Sequence, residues 1–99
     1  MVNEFLMDRV NVVHALLDQG DLGNALKIAK NIKLRIHDKG LLGEISDKEN
    51  HIEIEYNNKF KNITGDPVAV SGKLMELDLW RIKEYITFYD TLIKTHERI

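Results

Sequence analysis

The chain has 99 residues, a formal net charge of −2 and no cysteine. This length suits one domain, so we expect residues 1–99 to fold as a single unit. The charge balance offers no bulk attraction to nucleic acid or to an anionic membrane, and the lack of cysteine excludes disulfides, thiol catalysis and cysteine-based zinc sites.

The N-terminal part of the chain predicts a hairpin of two helices. Apolar residues recur at steps of three and four near residues 4–19, and Gly20 suits the left-handed turn that ends a helix. A second apolar stripe follows near residues 22–39, with Asp21 as its cap and Gly40 as its end. Because the connection between the stripes is short, we predict that the two helices pack antiparallel.

The third segment supports two interpretations. Residues 51–56 alternate between polar and apolar side chains, as in a strand, and the two asparagines after them suit a hairpin turn. A longer apolar stripe with helical spacing competes with this pattern, and Ser46 and Glu49 form a capping box at its start. We predict a helix near residues 46–63, because the Glu and Lys residues at the other positions prefer helix to strand.

The longest stretch of uninterrupted helical spacing comes last. Asp66 followed by Pro67 suits the start of a helix, as does Ser71, and we predict a helix near residues 71–97. One seam of residues at heptad spacing along it is apolar throughout: Met75, Leu79, Ile82, Ile86, Tyr89 and Ile93. A second seam beside it has a charged centre between apolar ends: Leu74, Asp78, Arg81, Tyr85, Phe88 and Leu92.

Together these stripes predict an all-α fold, a small four-helix bundle built on an N-terminal helical hairpin with a long C-terminal helix. The two seams of the last helix allow two arrangements. Either helices one to three cover both seams as one broad core face, or one seam faces a second copy of the chain. We predict the second arrangement, a homodimer in which the second seam forms the interface and Asp78 and Arg81 set its register.

Two residues of the first helix resemble a catalytic motif. Arg9 and His14 are separated by four residues, a spacing similar to that of the HEPN-domain ribonucleases, which are helical and metal-independent. The resemblance covers these two residues, and the position after the arginine, usually polar in that family, is Val10 here. It implies a catalytic pair that acts on the phosphate and the 2′-hydroxyl of RNA. The other interpretation is an arginine and a histidine that flank a core stripe.

The second helix is locally basic, with five cations: Lys27, Lys30, Lys33, Arg35 and Lys39. They are candidate nucleic-acid contacts, but their angular positions divide them between the two flanks of the helix, which is more typical of solvated surfaces. An acidic run from Glu44 to Glu55 follows. It can neutralise the basic helix within the fold or across a dimer.

Trp80 is the most distinctive single residue. It lies about 140° around the last helix from the Met75 seam, and Leu77 and Lys73 are its neighbours on that side. Either helix three covers Trp80, or these three residues form a partner-binding site around an exposed aromatic anchor of the kind that dominates protein interfaces. The four histidines show no metal-binding spacing, so we expect neither metal nor cofactor.

These features predict a small non-enzymatic interaction protein, regulatory or inhibitory, that acts through a helical surface as a homo-oligomer and binds an unidentified protein partner. The alternatives are a HEPN-like ribonuclease and a nucleic-acid accessory protein that uses the basic helix. With no signal peptide and no apolar run that could cross a bilayer, we expect a cytoplasmic location and no membrane partner. The abundance of Lys, Ile and Asn favours a bacterial or phage origin.

Overall fold

The computed structural model describes residues 2–97 and shows an all-α protein with no strand in that range. A 3₁₀ turn (Ile32–Arg35) continues the second helix. The predicted class, a four-helix bundle with an N-terminal hairpin and a long last helix, is confirmed. The helices in chain order are α1 (Val2–Asp18), α2 (Leu22–Asn31), α3 (Lys39–Lys61) and α4 (Pro67–Glu97).

The N-terminal hairpin forms as the sequence predicts. Gly20 has a φ of 76°, in the left-handed region, and this conformation follows the end of α1. The Asp21 side chain then accepts a hydrogen bond of 3.2 Å from the backbone N–H of Asn24, which caps α2. Ala25 and Ala29, the small residues of the predicted stripe, are fully buried. Short-range signals were therefore sufficient to locate this hairpin.

The second helix is shorter than predicted. The helix expected over residues 22–39 ends at Asn31, and the chain tightens into the 3₁₀ turn before it runs extended towards α3. Ile32 and Ile36 of the predicted stripe are nevertheless buried. The apolar pattern thus identified the correct core residues, whereas Gly40, predicted to end this helix, lies in the first turn of α3.

The third segment is a helix, so the strand interpretation of residues 51–56 is wrong. The predicted capping box is also wrong, because Ser46 lies inside α3 rather than at its start. The cap is Asp38, whose side chain accepts a hydrogen bond of 2.9 Å from the backbone N–H of Leu41. Leu41 and Ile45 are both buried, and their packing offsets the cost of placing glycine in a helix.

The fourth helix begins at Pro67 rather than at Ser71. The Asp66 side chain accepts a hydrogen bond of 2.9 Å from the backbone N–H of Ala69, and proline at the first helical position has no N–H that needs a partner. The earlier of the two possible starts is therefore the one that the chain uses. The extra turn brings α4 to 31 residues, the longest helix of the structure as described.

α4 is the element against which α1, α2 and α3 all pack. Tyr89 ties it to α2, because its hydroxyl donates a hydrogen bond of 2.6 Å to the carbonyl oxygen of Ala29. The main buried cluster draws its α4 side chains from Ile82 to Ile93, and it includes no α3 side chain after Ile52. The core is therefore concentrated around the C-terminal half of α4.

The end of α3, the loop after it and the first turns of α4 extend past the N-terminal hairpin of α1 and α2. We call residues 54–80 the hairpin end and the rest of the bundle the core half. Within the hairpin end only Leu77 is buried, and it lies outside the main buried cluster. The molecule is correspondingly elongated, with extents of 50 × 27 × 21 Å.

Candidate interaction surface

The second seam of α4, predicted to form the dimer interface, faces α3 of the same chain. Tyr85 and Leu92 are only 2% and 5% exposed. Asp78 accepts a hydrogen bond of 3.2 Å from the Tyr56 hydroxyl of α3. The choice of surface was therefore wrong, because α3 of the same chain packs on this seam through residues such as Glu53 and Tyr56. The two other apolar members are half-buried: Leu74 and Phe88.

Arg81, the other charged member of that seam, binds Glu53 of α3. Its Nε donates to Glu53 Oε2 at 2.7 Å and its Nη2 donates to Oε1. The Tyr85 hydroxyl donates to Oε2 at 3.1 Å, and Lys30 of α2 lies 3.3 Å from Oε1. Burial alone would raise the pKa of Glu53, but the hydrogen bond and charge of Arg81, with the charge of Lys30, hold it below its usual 4.5. One carboxylate thus links α2, α3 and α4.

The tyrosines around this carboxylate act as hydrogen-bond donors. Burial and the neighbouring charge of Glu53 raise the pKa of Tyr85, and burial and the charge of Asp78 raise that of Tyr56. The Arg81 guanidinium also lies over the Tyr56 ring, 4.2 Å from its centre. A phenol with a raised pKa stays protonated in neutral solution, so Tyr56 and Tyr85 are neutral hydrogen-bond donors to the carboxylates of Asp78 and Glu53.

The three residues predicted to bind a partner lie together in one open groove of about 390 Å³ at the hairpin end. The Lys59 ammonium lies 5.0 Å from the centre of the Trp80 ring, and Lys73 Nζ donates a hydrogen bond of 2.8 Å to the Thr64 carbonyl. α3 and the following loop therefore cover Trp80 in part, and the indole remains half-exposed. We call this the Trp80 groove; it is lined by Lys59, Asn62, Ile63, Lys73, Glu76, Leu77 and Trp80.

A second feature of the hairpin end was not predicted. Met75 belongs to the first, apolar seam, whose members from Ile82 onward are buried, yet Met75 is 62% exposed. The reason is that α1 ends near Leu79, where Leu17 in the last turn of α1 lines a shared cavity. Val68, seven residues before Met75 on the same face, is 83% exposed. The seam thus continues past the helices that cover it.

α3 contributes to the same uncovered face. Glu53 points towards α2, as its ion pair with Lys30 shows. Phe60 follows Glu53 by seven residues and so lies on the same side of α3, where it is 49% exposed and stands 6.1 Å from the Tyr56 ring. We call Phe60, Val68 and Met75 the open face. The sequence contained an indication of the open face, because the first seam of α4 is longer than α1 or α2, the helices that pack on it.

The ribonuclease-like pair does not come together. Arg9 lines a cavity between α1 and the end of α2, whereas His14 lines a different cavity between α1 and α4. Residues five apart on a helix diverge by about 140°, which places their side chains towards different neighbours. The spacing of Arg9 and His14 therefore does not correspond to a shared cavity in the fold.

The basic residues of the second predicted helix are divided among different roles. Lys30 pairs with Glu53 and Lys33 with Glu49, at 3.3 and 2.8 Å, so the acidic run neutralises part of the basic segment within the fold. Arg35 lines the cavity that contains Arg9. The two others are exposed: Lys27 and Lys39. A continuous row of free cations for nucleic acid is not formed.

Other kinds of site find no support within residues 2–97. Among the side chains that the structure describes, no three His, Asp or Glu converge as metal ligands would. Likewise, no helix within residues 2–97 combines the length and apolar character needed to span a bilayer.

Comparisons with known proteins found no match. No protein-family model matches the sequence, and no curated protein or solved structure compared with the chain matches it. The hairpin end is therefore the candidate site that the geometry itself supplies.

Proposed function

We propose that this chain is a small non-enzymatic interaction protein, regulatory or inhibitory, that works as a homodimer through its hairpin end. The observation that supports the proposal is the concentration of exposed apolar side chains in the hairpin end. Of seven exposed large apolar residues among those described, four belong to the hairpin end, and three of these form the open face: Phe60, Val68 and Met75. The fourth, Ile54, lies on another side of α3. Exposed apolar residues that gather in one region are typical of an association surface.

A second copy of the chain fits the open face better than an unrelated partner does. In the core half, the N-terminal hairpin completes a four-helix arrangement on this side of α3 and α4. Two hairpin ends that pack face to face supply each other with the two missing helices. A two-fold axis through the open face gives such a closed, self-complementary arrangement. The three residues of the face are uncharged, so the same surface can meet itself without repulsion.

The size of the open face determines the dimer affinity that we expect. Residues 67–78 of α4 extend about 18 Å at ~1.5 Å rise per residue. Such a short contact falls near the lower end of specific interfaces, at roughly 1,200 Å² in total. We therefore expect a dimer that forms at micromolar concentration and dissociates on dilution below it, which suits a regulatory protein whose assembly responds to its own abundance.

The Trp80 groove stays accessible in this dimer and is where we propose that the partner protein binds. Trp80 follows Met75 by five residues, so it points about 140° away from the open face. Lys59 and Lys73 flank the indole and the buried Leu77, against a single acid, Glu76. This combination favours an acidic segment that carries an apolar side chain.

Sedimentation equilibrium at micromolar concentration tests the dimer. We expect the wild-type chain to dimerise, and Met75→Glu or Val68→Glu to be monomeric, because each places a charge in the middle of the apolar contact. Leu34→Glu is the matched control: Leu34 is 72% exposed on the 3₁₀ turn, outside the hairpin end, and its replacement should leave the dimer intact. A wild-type monomer, or a dimer that survives both charged variants with normal helicity, would refute the proposal.

A further inference from the structure

A small cavity in the core half, far from the hairpin end, is lined by two arginines. It lies between α1 and the end of α2 and has a volume of about 200 Å³. Two turns of α1 form one wall, with Phe5 and Arg9 four residues apart. The other wall combines the last turn of α2 with the 3₁₀ turn: Ile28, Asn31, Ile32 and Arg35. Its floor is apolar, and its polar groups are two guanidinium groups and one amide.

The positive charge of this cavity is not balanced by its surroundings. No acidic residue lines it, and neither Arg9 nor Arg35 forms an ion pair with any carboxylate in the described part of the chain. The Arg9 Nε is buried and has no hydrogen-bond partner there, while its guanidinium lies 5.9 Å from the centre of the Phe5 ring. A buried donor without an acceptor is costly, and native proteins usually supply the acceptor.

The spacing of residues at the end of α2 and in the 3₁₀ turn explains why the two arginines share one cavity. The segment from Ile28 to Arg35 repeats at steps of three and four, so its side chains face α1 along one line. The 3₁₀ turn keeps Ile32 in the core, while the Arg35 side chain remains exposed at the mouth of the cavity. The cavity therefore has a half-buried arginine at one end, an exposed arginine at the other and an entry from solvent.

We propose that this cavity binds a small phosphate monoester. Two guanidinium groups match the charge of about −2 that such a phosphate carries at neutral pH, and their planar donors suit its oxygens. The Arg9 and Arg35 side chains line the cavity and supply guanidinium donors, and Asn31 adds an amide donor. The apolar floor of Phe5, Ile28 and Ile32 accommodates the organic group of the ester. This site is separate from the hairpin end and does not rest on the proposed interaction function.

Titration calorimetry with phenyl phosphate tests the site directly, with inorganic phosphate and benzoate as comparison ligands. We expect phenyl phosphate to bind most tightly, because it alone combines a dianion with a ring for the apolar floor. Arg9→Gln or Arg35→Gln should each weaken its binding about tenfold or more, as expected for loss of a charged hydrogen-bonding group. Lys27→Gln, which removes an exposed cation of α2 that does not line the cavity, should leave binding unchanged.

The pH dependence separates a phosphate from a carboxylate ligand. The second ionisation of a phosphate ester has a pKa of about 6, so phenyl phosphate should bind more tightly as the pH rises from about 5 to 7.5. Benzoate is fully charged over that range and should show no such change. Phosphate binding that is absent at millimolar ligand, that survives both arginine variants, or that does not exceed benzoate binding would overturn the proposal. Arg35 is exposed, so Arg35→Gln keeps the test valid if Arg9→Gln fails to fold.

Discussion

The first seam of α4 passes through two environments. In the core half, Ile82, Ile86 and Tyr89 are buried under α1 and α2, whereas in the hairpin end Met75 points into solvent. Spacing and side-chain type are similar in both halves, so helical periodicity alone does not distinguish them. What differs is the length of the neighbouring helices. An apolar seam shows which face of a helix seeks a partner, and the lengths of the other elements decide whether the same chain provides it.

Truncation of one seam residue in each region should show the largest contrast. Ile82 is fully buried, and Ile82→Ala should lower the free energy of unfolding by about 2–5 kcal/mol through lost burial and an unfilled cavity. Met75→Ala should change it by less than about 0.5 kcal/mol in the monomer. Chemical denaturation at a concentration below the dimerisation range measures both. Equal losses for the two variants would mean that the hairpin end is packed as tightly as the core half.

The next largest effect concerns Glu53, next to the boundary between the two regions. Glu53→Gln removes the charge that Arg81 and Lys30 face, and we expect a loss of about 1.5–3 kcal/mol at neutral pH. The pKa of Glu53 is lowered by folding, so its contribution is present above the unfolded value of about 4.5 and is lost as the pH falls through the folded value.

Acid titration of the free energy of unfolding gives the check on this interpretation. Wild type should lose stability as the pH falls below about 4.5, and Glu53→Gln should lose less over the same interval because it has no carboxylate to protonate at this position. Glu55→Gln is the matched control, since Glu55 is exposed on the same helix and forms no ion pair among the described residues. Parallel pH profiles for wild type and Glu53→Gln would show that this network contributes nothing.

The N-caps of α3 and α4 allow the two regions to be compared, because each cap forms one side-chain hydrogen bond. Asp38 caps α3 in the core half and Asp66 caps α4 in the hairpin end, each with a bond of 2.9 Å. Asp38→Ala should lower the global free energy of unfolding by about 1 kcal/mol. Asp66→Ala should mainly speed amide hydrogen exchange near Pro67, because an end with little packing opens locally. Ser46→Ala, inside α3, should have almost no effect on either measurement.

Periodicity was sufficient to predict the fold class and the N-terminal hairpin, because both depend on local spacing and local caps. Periodicity failed at the start of α3, because Gly40 was predicted to end the preceding helix. The burial of Leu41 indicates that packing outweighs the unfavourable helix propensity of glycine.

Three residues of the Trp80 groove, Lys73, Leu77 and Trp80, were predictable because they share one face of one helix. Its α3 side was not, since the sequence does not show which residues of α3 lie beside Trp80. The arginine cavity was not, since its two walls come from α1 and from the end of α2, and the sequence pattern does not show that Arg9 and Arg35 line the same cavity.

The smallest expected effect concerns the Trp80 groove. Lys59 lies over the indole and is exposed, so Lys59→Gln should lower the free energy of unfolding by no more than about 0.5–1 kcal/mol. The chain has one tryptophan, so its fluorescence reports on this groove alone. We expect the emission spectrum to change in Lys59→Gln and to remain unchanged in Lys61→Gln, which removes an exposed cation two residues away that does not line the groove.

Peptide binding tests the role of Lys59 in partner selection. If the groove binds acidic segments, a peptide of glutamate and leucine should shift the tryptophan emission of wild type and should bind Lys59→Gln more weakly. Equal titrations for wild type and Lys59→Gln would show that charge does not select the partner, and that the two regions differ only in how much apolar surface they leave uncovered.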